Sequence, residues 1–107
     1  MNAPSRQPRY QPVTQPPPPR PPELRLATFT YADSRARKVC VAGDFNNWSP
    51  DATQMQRTTS GVWTIQLKLT PGRHQYRFVV DSQWLSDPKA TMSAPNPHGG
   101  MNSVVIV

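Results

Sequence analysis

Two of the three tryptophans in this chain stand where a core would not put them. Trp48 closes the run G-D-F-N-N-W-S-P, which turns at Gly43 and continues through Asp44, Asn46 and Asn47. Such side chains bond their own backbone in turns. Trp84 follows another tight turn, in V-D-S-Q-W-L-S-D-P. An indole in such a setting is either a lid over a sheet edge or a flat apolar platform held out for a ligand. Two platforms at one sheet end, with Arg77 and Asn102 available beside them, suit a sugar. A pyranose presents an apolar C–H face that stacks on an indole. Its rim of hydroxyls needs amide or guanidinium partners, because a buried polar group left unpaired is costly. Trp63 is different: it runs in phase with Ile65 and Leu67 and is expected in the core.

Other chemistries find little support. Glycosidases work with two carboxylates flanking the scissile bond. The acids after the N-terminal tail are Glu23, Asp33, Asp44, Asp51, Asp81 and Asp87, and most of them sit in turns where Asp serves the backbone. Two histidines, His74 and His98, and the single Cys40 lack metal-ligand spacing, and no cofactor motif is present. Cys40 lies between Val39 and Val41, where a small buried and unreactive thiol is expected.

The elements that must position these residues read as strands. Leu24 to Tyr31 alternates Ala27, Phe29 and Tyr31 against Leu26, Thr28 and Thr30; Lys38 to Gly43 follows after a turn. Val62 to Leu69 sets Trp63, Ile65, Leu67 and Leu69 against polar neighbours after a Thr-Thr-Ser-Gly turn, a period of two. Thr70-Pro71-Gly72-Arg73 has the Pro-Gly order of a type II turn. His74 to Val80 alternates Tyr76, Phe78 and Val80 against Gln75, Arg77 and Val79. Asp81-Ser82 leads into Gln83-Trp84-Leu85, residues 86–102 read as one long loop, and Val104 to Val107 closes the chain. No window has helical periodicity with caps. Seven or so short strands at turn spacing predict an all-β antiparallel sandwich.

At 107 residues there is one domain at most, and nine of the 14 prolines fall within residues 1–22. That tail has too few apolar side chains to offset chain entropy and is expected to be disordered, with polyproline II character. Its Pro16–Pro22 run, with Arg20 inside it, resembles a ligand for aromatic-grooved protein domains such as SH3, a protein partner to be set against a plain stiff spacer. The folded part is residues 23–107, enough for one modest core but not for a deep enzyme cleft. Of the net charge of +6, Arg6, Arg9 and Arg20 supply half. No apolar run reaches the length of a signal segment or membrane span, so a soluble cytoplasmic protein without membrane contact is the expectation.

From Val39 to Val107 the chain resembles the glycogen- and starch-binding modules of the isoamylase-like early set (carbohydrate-binding module family 48), above all that of the AMP-activated protein kinase β subunit. The resemblance covers roughly two thirds of the chain. It rests on G-D-F-N-N-W (43–48), L-x-P-G-R-H-Q-Y-R-F-V-V-D-S-Q-W (69–84), D-P (87–88) and N-S-V-V (102–105), in order and with matching spacing. It implies an immunoglobulin-like sandwich that binds α-1,4-glucans such as glycogen, maltooligosaccharides or cyclodextrin without catalysis. It further implies that Trp48 and Trp84 stack on glucose, that Arg77 stands where the family usually has a sugar-binding lysine, and that Asn102 is a sugar-binding asparagine ahead of the last strand. The family's leucine and threonine loop is replaced here by A-P-N-P-H-G-G-M-N, with one extra residue upstream, and His98 is the candidate contact in it. The rivals are a protein-interaction or regulatory sandwich with a vestigial sugar site and a single-stranded nucleic-acid binder. Against the second, the basic residues show no run longer than Arg35-Ala36-Arg37-Lys38.

Overall fold

The computed structural model describes residues 23–107; the expected disorder of residues 1–22, and any partner docking there, lie outside the described residues. Eight strands and no helix make up the described part: β1 (Arg25–Ala32), β2 (Val39–Gly43), β3 (Gln56–Arg57), β4 (Val62–Leu69), β5 (Arg73–Val80), β6 (Gln83–Leu85), β7 (Met92–Pro95) and β8 (Met101–Ile106). They form an antiparallel β-sandwich. One sheet is ordered β1-β4-β3; the other is β2-β5-β8-β7, with β6 added to β5.

The alternation read from the sequence sets the register. Opposite residues on paired strands share a face, so Phe29 against Ile65 and Tyr31 against Trp63 build one inner layer. Val41 against Phe78 and Val39 against Val80 build the other. Between them Phe29, Trp63, Tyr76 and Phe78 are buried, and edge-to-face contacts join Phe29 to Tyr76 (4.9 Å) and Tyr76 to Phe78 (5.7 Å). The Trp63 indole N–H donates to the Asp33 carbonyl at 3.0 Å, so this tryptophan is wholly committed to the core.

Two differences from the sequence reading concern the last third. The stretch 86–102 is not one loop, because β7 forms inside it and pairs with β8, Ala94 opposite Asn102. For the same reason the last strand begins at Met101, and Asn102 lies within it rather than ahead of it.

The segment after the Trp48 turn stitches the sheets together. Val41 N–H donates to Thr53 O (3.0 Å) and Met55 N–H to Val39 O (2.8 Å), which extends the β2 edge. The next two residues, Gln56 and Arg57, pair with β4 in the opposite sheet.

Candidate functional site

The outer face of the second sheet carries the site. On β5 the side chains that turn away from the core are Gln75, Arg77 and Val79, and their neighbours on that face are Ala42 and Cys40 of β2 and Trp84 of β6. All five residues of β2 are buried, so this strand is covered on both faces. The outer cover includes Trp48, which packs on a small cluster of Cys40, Ala42 and Val79. Trp48 is therefore half-buried, part floor and part wall, rather than free of packing as its polar surroundings suggest.

Local chemistry holds Trp48 there. The Asn46 side chain accepts from Gly43 N–H (3.0 Å) and donates to Val41 O (3.0 Å) and Thr53 Oγ1 (3.0 Å), so one amide ties the turn to its two ends. Trp48 N–H then donates to Gly43 O at 2.9 Å. Asn47 and Trp48 both have φ of 58°, a left-handed conformation that is costly for a bulky side chain. Gly43 has no alternative: a Cβ there would lie 2.5 Å from Phe45 and 2.6 Å from the Gln75 carbonyl oxygen. Strain of this kind persists only where the surroundings over-determine it, and it concentrates at ligand clamps.

Asp44 anchors the same turn to β5. Its carboxylate accepts from Gln75 N–H (2.9 Å) and from His74 Nδ1 (2.8 Å), while His74 Nε2 lies 2.8 Å from Thr70 O. Both ring nitrogens face acceptors, so only the imidazolium satisfies them together. Burial opposes that charge, but the Thr70 carbonyl and the Asp44 carboxylate outweigh it and raise the His74 pKa.

Trp84 is set by the β5–β6 hairpin. Asp81 (φ 47°) and Ser82 (φ 73°) make its two-residue turn, both in the left-handed region that primed hairpin turns require. The Asp81 carboxylate also accepts from the N–H groups of Arg37 and Lys38, both at 2.9 Å, pinning the hairpin to the start of β2. Trp84 remains 37% exposed.

Between the two indoles an open groove of ≈ 810 Å³ runs over the sheet. Trp48, Arg77, Trp84, His98 and Asn102, the five residues singled out from the sequence, all line it. Arg77 gives one Nη2 hydrogen bond to the Trp84 carbonyl (3.1 Å). Its Nε is the one buried side-chain polar atom without a partner among the described residues. Internal pairing thus leaves most of this guanidinium's donors unused. Asn102 is buried at 6% exposure and sits in an amide relay: Asn96 Nδ2 donates to Asn102 Oδ1 (3.3 Å), and Asn102 Nδ2 donates to Gln75 Oε1 (3.0 Å). Asn96 also shapes the β7–β8 loop, its side-chain oxygen accepting from His98 N–H (2.8 Å) and Gly100 N–H (3.1 Å). His98 sits exposed on that loop at the groove rim.

Gln75, Asn96 and Asp44 also line the groove and were not singled out from the sequence. Gln75 could have been, since it shares the Arg77 face of an alternating strand. Asn96 had no signal beyond turn chemistry. Among the described residues no three His, Cys, Asp or Glu side chains are grouped to hold a metal ion, and no helix is long and apolar enough to cross a membrane.

Residues 27–107 match the family described as the glycogen recognition site of AMP-activated protein kinase. The chain belongs to this family. As a glycogen-recognition module it is a carbohydrate-binding domain, and its relatives include longer proteins. It is 38% identical over 65 residues to Protein PTST homolog 2, chloroplastic, of Arabidopsis thaliana, covering 61% of this chain and 12% of that protein. It is 32% identical over 76 residues to Protein FLOURY ENDOSPERM 6, chloroplastic, of Oryza sativa subsp. japonica, covering 71% and 14%. It is 35% identical over 85 residues to the 5'-AMP-activated protein kinase subunit beta-1 of Sus scrofa, covering 79% and 66%. The glycogen-recognition module thus spans only a small part of the first two relatives.

Proposed function

We propose that residues 23–107 form a non-catalytic module that binds α-1,4-glucan, with glucose rings stacked on Trp48 and Trp84. Arg77 and Asn102 hydrogen-bond the sugar hydroxyls, and His98 contributes from the rim. Gln75 belongs to the same set, because its side-chain oxygen already fixes Asn102 and the residue lines the groove. The observation that carries this reading is the groove itself. Two indoles wall it, and between them stands an arginine most of whose donors the fold does not consume. Membership of a glycogen-recognition family supports the same ligand class.

The non-catalytic part of the reading rests on where the carboxylates are employed. Asp33 accepts from the N–H of Arg35 and Ala36, Asp81 from Arg37 and Lys38, and Asp87 from Lys89. Asp44 is held by His74 and Gln75. None is paired with a second carboxylate across the groove, as glycoside hydrolysis demands.

Stacking on two indoles with a few net hydrogen bonds gives a weak site, with Kd on the order of 10 µM to 1 mM. The test is retention on immobilised glycogen or amylose, competed by maltoheptaose or β-cyclodextrin, at rising salt. Sugar binding persists as salt increases, whereas phosphate-driven binding to single-stranded nucleic acid collapses. Failure of the matrix to retain the protein at any salt refutes the proposal.

A further inference from the structure

A second, smaller cleft lies on the same face, and Trp84 is a wall of both. The main groove lies over Gln75 and Arg77; the second lies over Val79, the next outward position along β5. Same-face residues on a strand are spaced about 7 Å apart, so the two depressions follow one another along a single strand. The second encloses ≈ 240 Å³ against ≈ 810 Å³ for the first, room for a single ring rather than a chain.

It shares the Trp84 wall with the main groove but differs in its base, where the nearly buried Cys40 and Val79 lie beneath it with Pro50 beside the Trp84 wall. The rim is polar: Ser82, and Lys38 Nζ paired to Asp51 Oδ1 at 3.1 Å. That ion pair is well exposed, with side chains 49% and 76% accessible, so it contributes little to stability. Each partner keeps capacity for a sugar hydroxyl: the second carboxylate oxygen accepts and the remaining ammonium hydrogens donate. The wall is also rigid, since Asp81 bonds the backbone of Arg37 and Lys38 and fixes the hairpin that carries Ser82 and Trp84.

We infer that this cleft is a further glucan subsite, in which a chain seated in the main groove continues past Trp84 and places one more glucose against Lys38, Asp51 and Ser82. The inference rests on the proposed glucan reading and adds a length preference to it. A linear chain long enough to pass Trp84 gains the extra contacts. A short chain, or a closed ring confined to the main groove, does not.

The test is calorimetric titration of the full chain with maltotriose, maltoheptaose and β-cyclodextrin, for the parent and for Lys38→Met, Asp51→Asn and the double variant. Both substitutions retain the Lys38 backbone bonds to Asp81 and remove only exposed charge. The expected result is maltoheptaose binding about fivefold weaker in the double variant, the loss of one or two net hydrogen bonds, with maltotriose and β-cyclodextrin unchanged. Unchanged maltoheptaose binding, or an equal loss for all three ligands, overturns the subsite and leaves the main groove standing. A parent that binds none of the three overturns the glucan reading and the subsite with it.

Discussion

On the proposed reading, replacing each tryptophan in turn separates platform from core, with a different expected outcome for each. Trp84 is 37% exposed and borders the groove, so Trp84→Ala is expected to remove the proposed ligand surface and to cost less packing than the loss of the buried Trp63. A sugar face that shields about 80 Å² of apolar surface, at about 25 cal/mol per Å², is worth ~2 kcal/mol, or about 30-fold in Kd. Trp63 is 4% exposed and hydrogen-bonded to Asp33. Trp63→Ala is expected to cost ~3 kcal/mol or more and lower the Tm by at least about 12 °C, a large share of the stability of so small a domain. Trp48 falls between: it lines the groove and also covers Cys40, Ala42 and Val79, so Trp48→Ala loses ~2 kcal/mol of binding and ~1 kcal/mol of stability together. Calorimetric titration with maltoheptaose and thermal unfolding, run on all three variants, read both quantities. Trp63→Phe, which keeps a ring in the core, serves if the alanine variant does not fold. The reasoning is refuted if Trp84→Ala binds like the parent but melts many degrees lower, or if a folded Trp63 variant is the one that loses the ligand.

Stability should respond to His74 with a definite sign. Its pKa is raised in the fold, so its contribution is complete below the ordinary value of about 6.5 and is lost as pH rises through the folded value. Urea unfolding between pH 5 and 9 should show that decline in the parent and a flatter profile in His74→Gln; an identical slope in both contradicts it. Gly43→Ala should destabilise by ~1–3 kcal/mol, since the new Cβ meets the Gln75 carbonyl oxygen at 2.6 Å and backbone cannot yield cheaply. It should weaken maltoheptaose binding as well, because the Trp48 turn starts there; stability equal to the parent would show that the turn accommodates a side chain. Removing residues 1–22 should leave maltoheptaose affinity within about twofold, under ~0.4 kcal/mol, and a tenfold loss would place the tail in the site.

Much of the fold was legible because it rests on period-two alternation. The strand Val62–Leu69 has the bounds that patterning gave it, the tight turn read at Asp81-Ser82 leads into the short strand Gln83–Leu85, and Trp63 and Cys40 are buried as their neighbours implied. β7 was missed for a physical reason: Met92-Ser93-Ala94-Pro95 carries no alternation and ends in proline, and only pairing with β8 makes it a strand. The double role of Trp48 was partly written in β2. Val39-Cys40-Val41-Ala42 is apolar on both faces, and a strand apolar on both faces needs a cover on each. What no local pattern could show is the amide relay from Asn96 through Asn102 to Gln75, because Gln75 lies 27 residues from Asn102 and meets it only when β5 and β8 pair.

The Trp48 turn leaves β2 at Gly43 and returns to bond the same strand at Thr53 and Met55, with Asn46 bridging the two arms. Its ends are therefore fastened to each other independently of what lies between them. Such a segment behaves as an exchangeable cassette. Residues at its tip, from Ser49 to Ala52, can be lengthened or replaced at small entropic cost, because the gap to be closed does not change. If the inferred second subsite holds a glucose, Pro50 and Asp51 at that tip border it, and changes there would alter ligand preference while the sandwich beneath keeps its register.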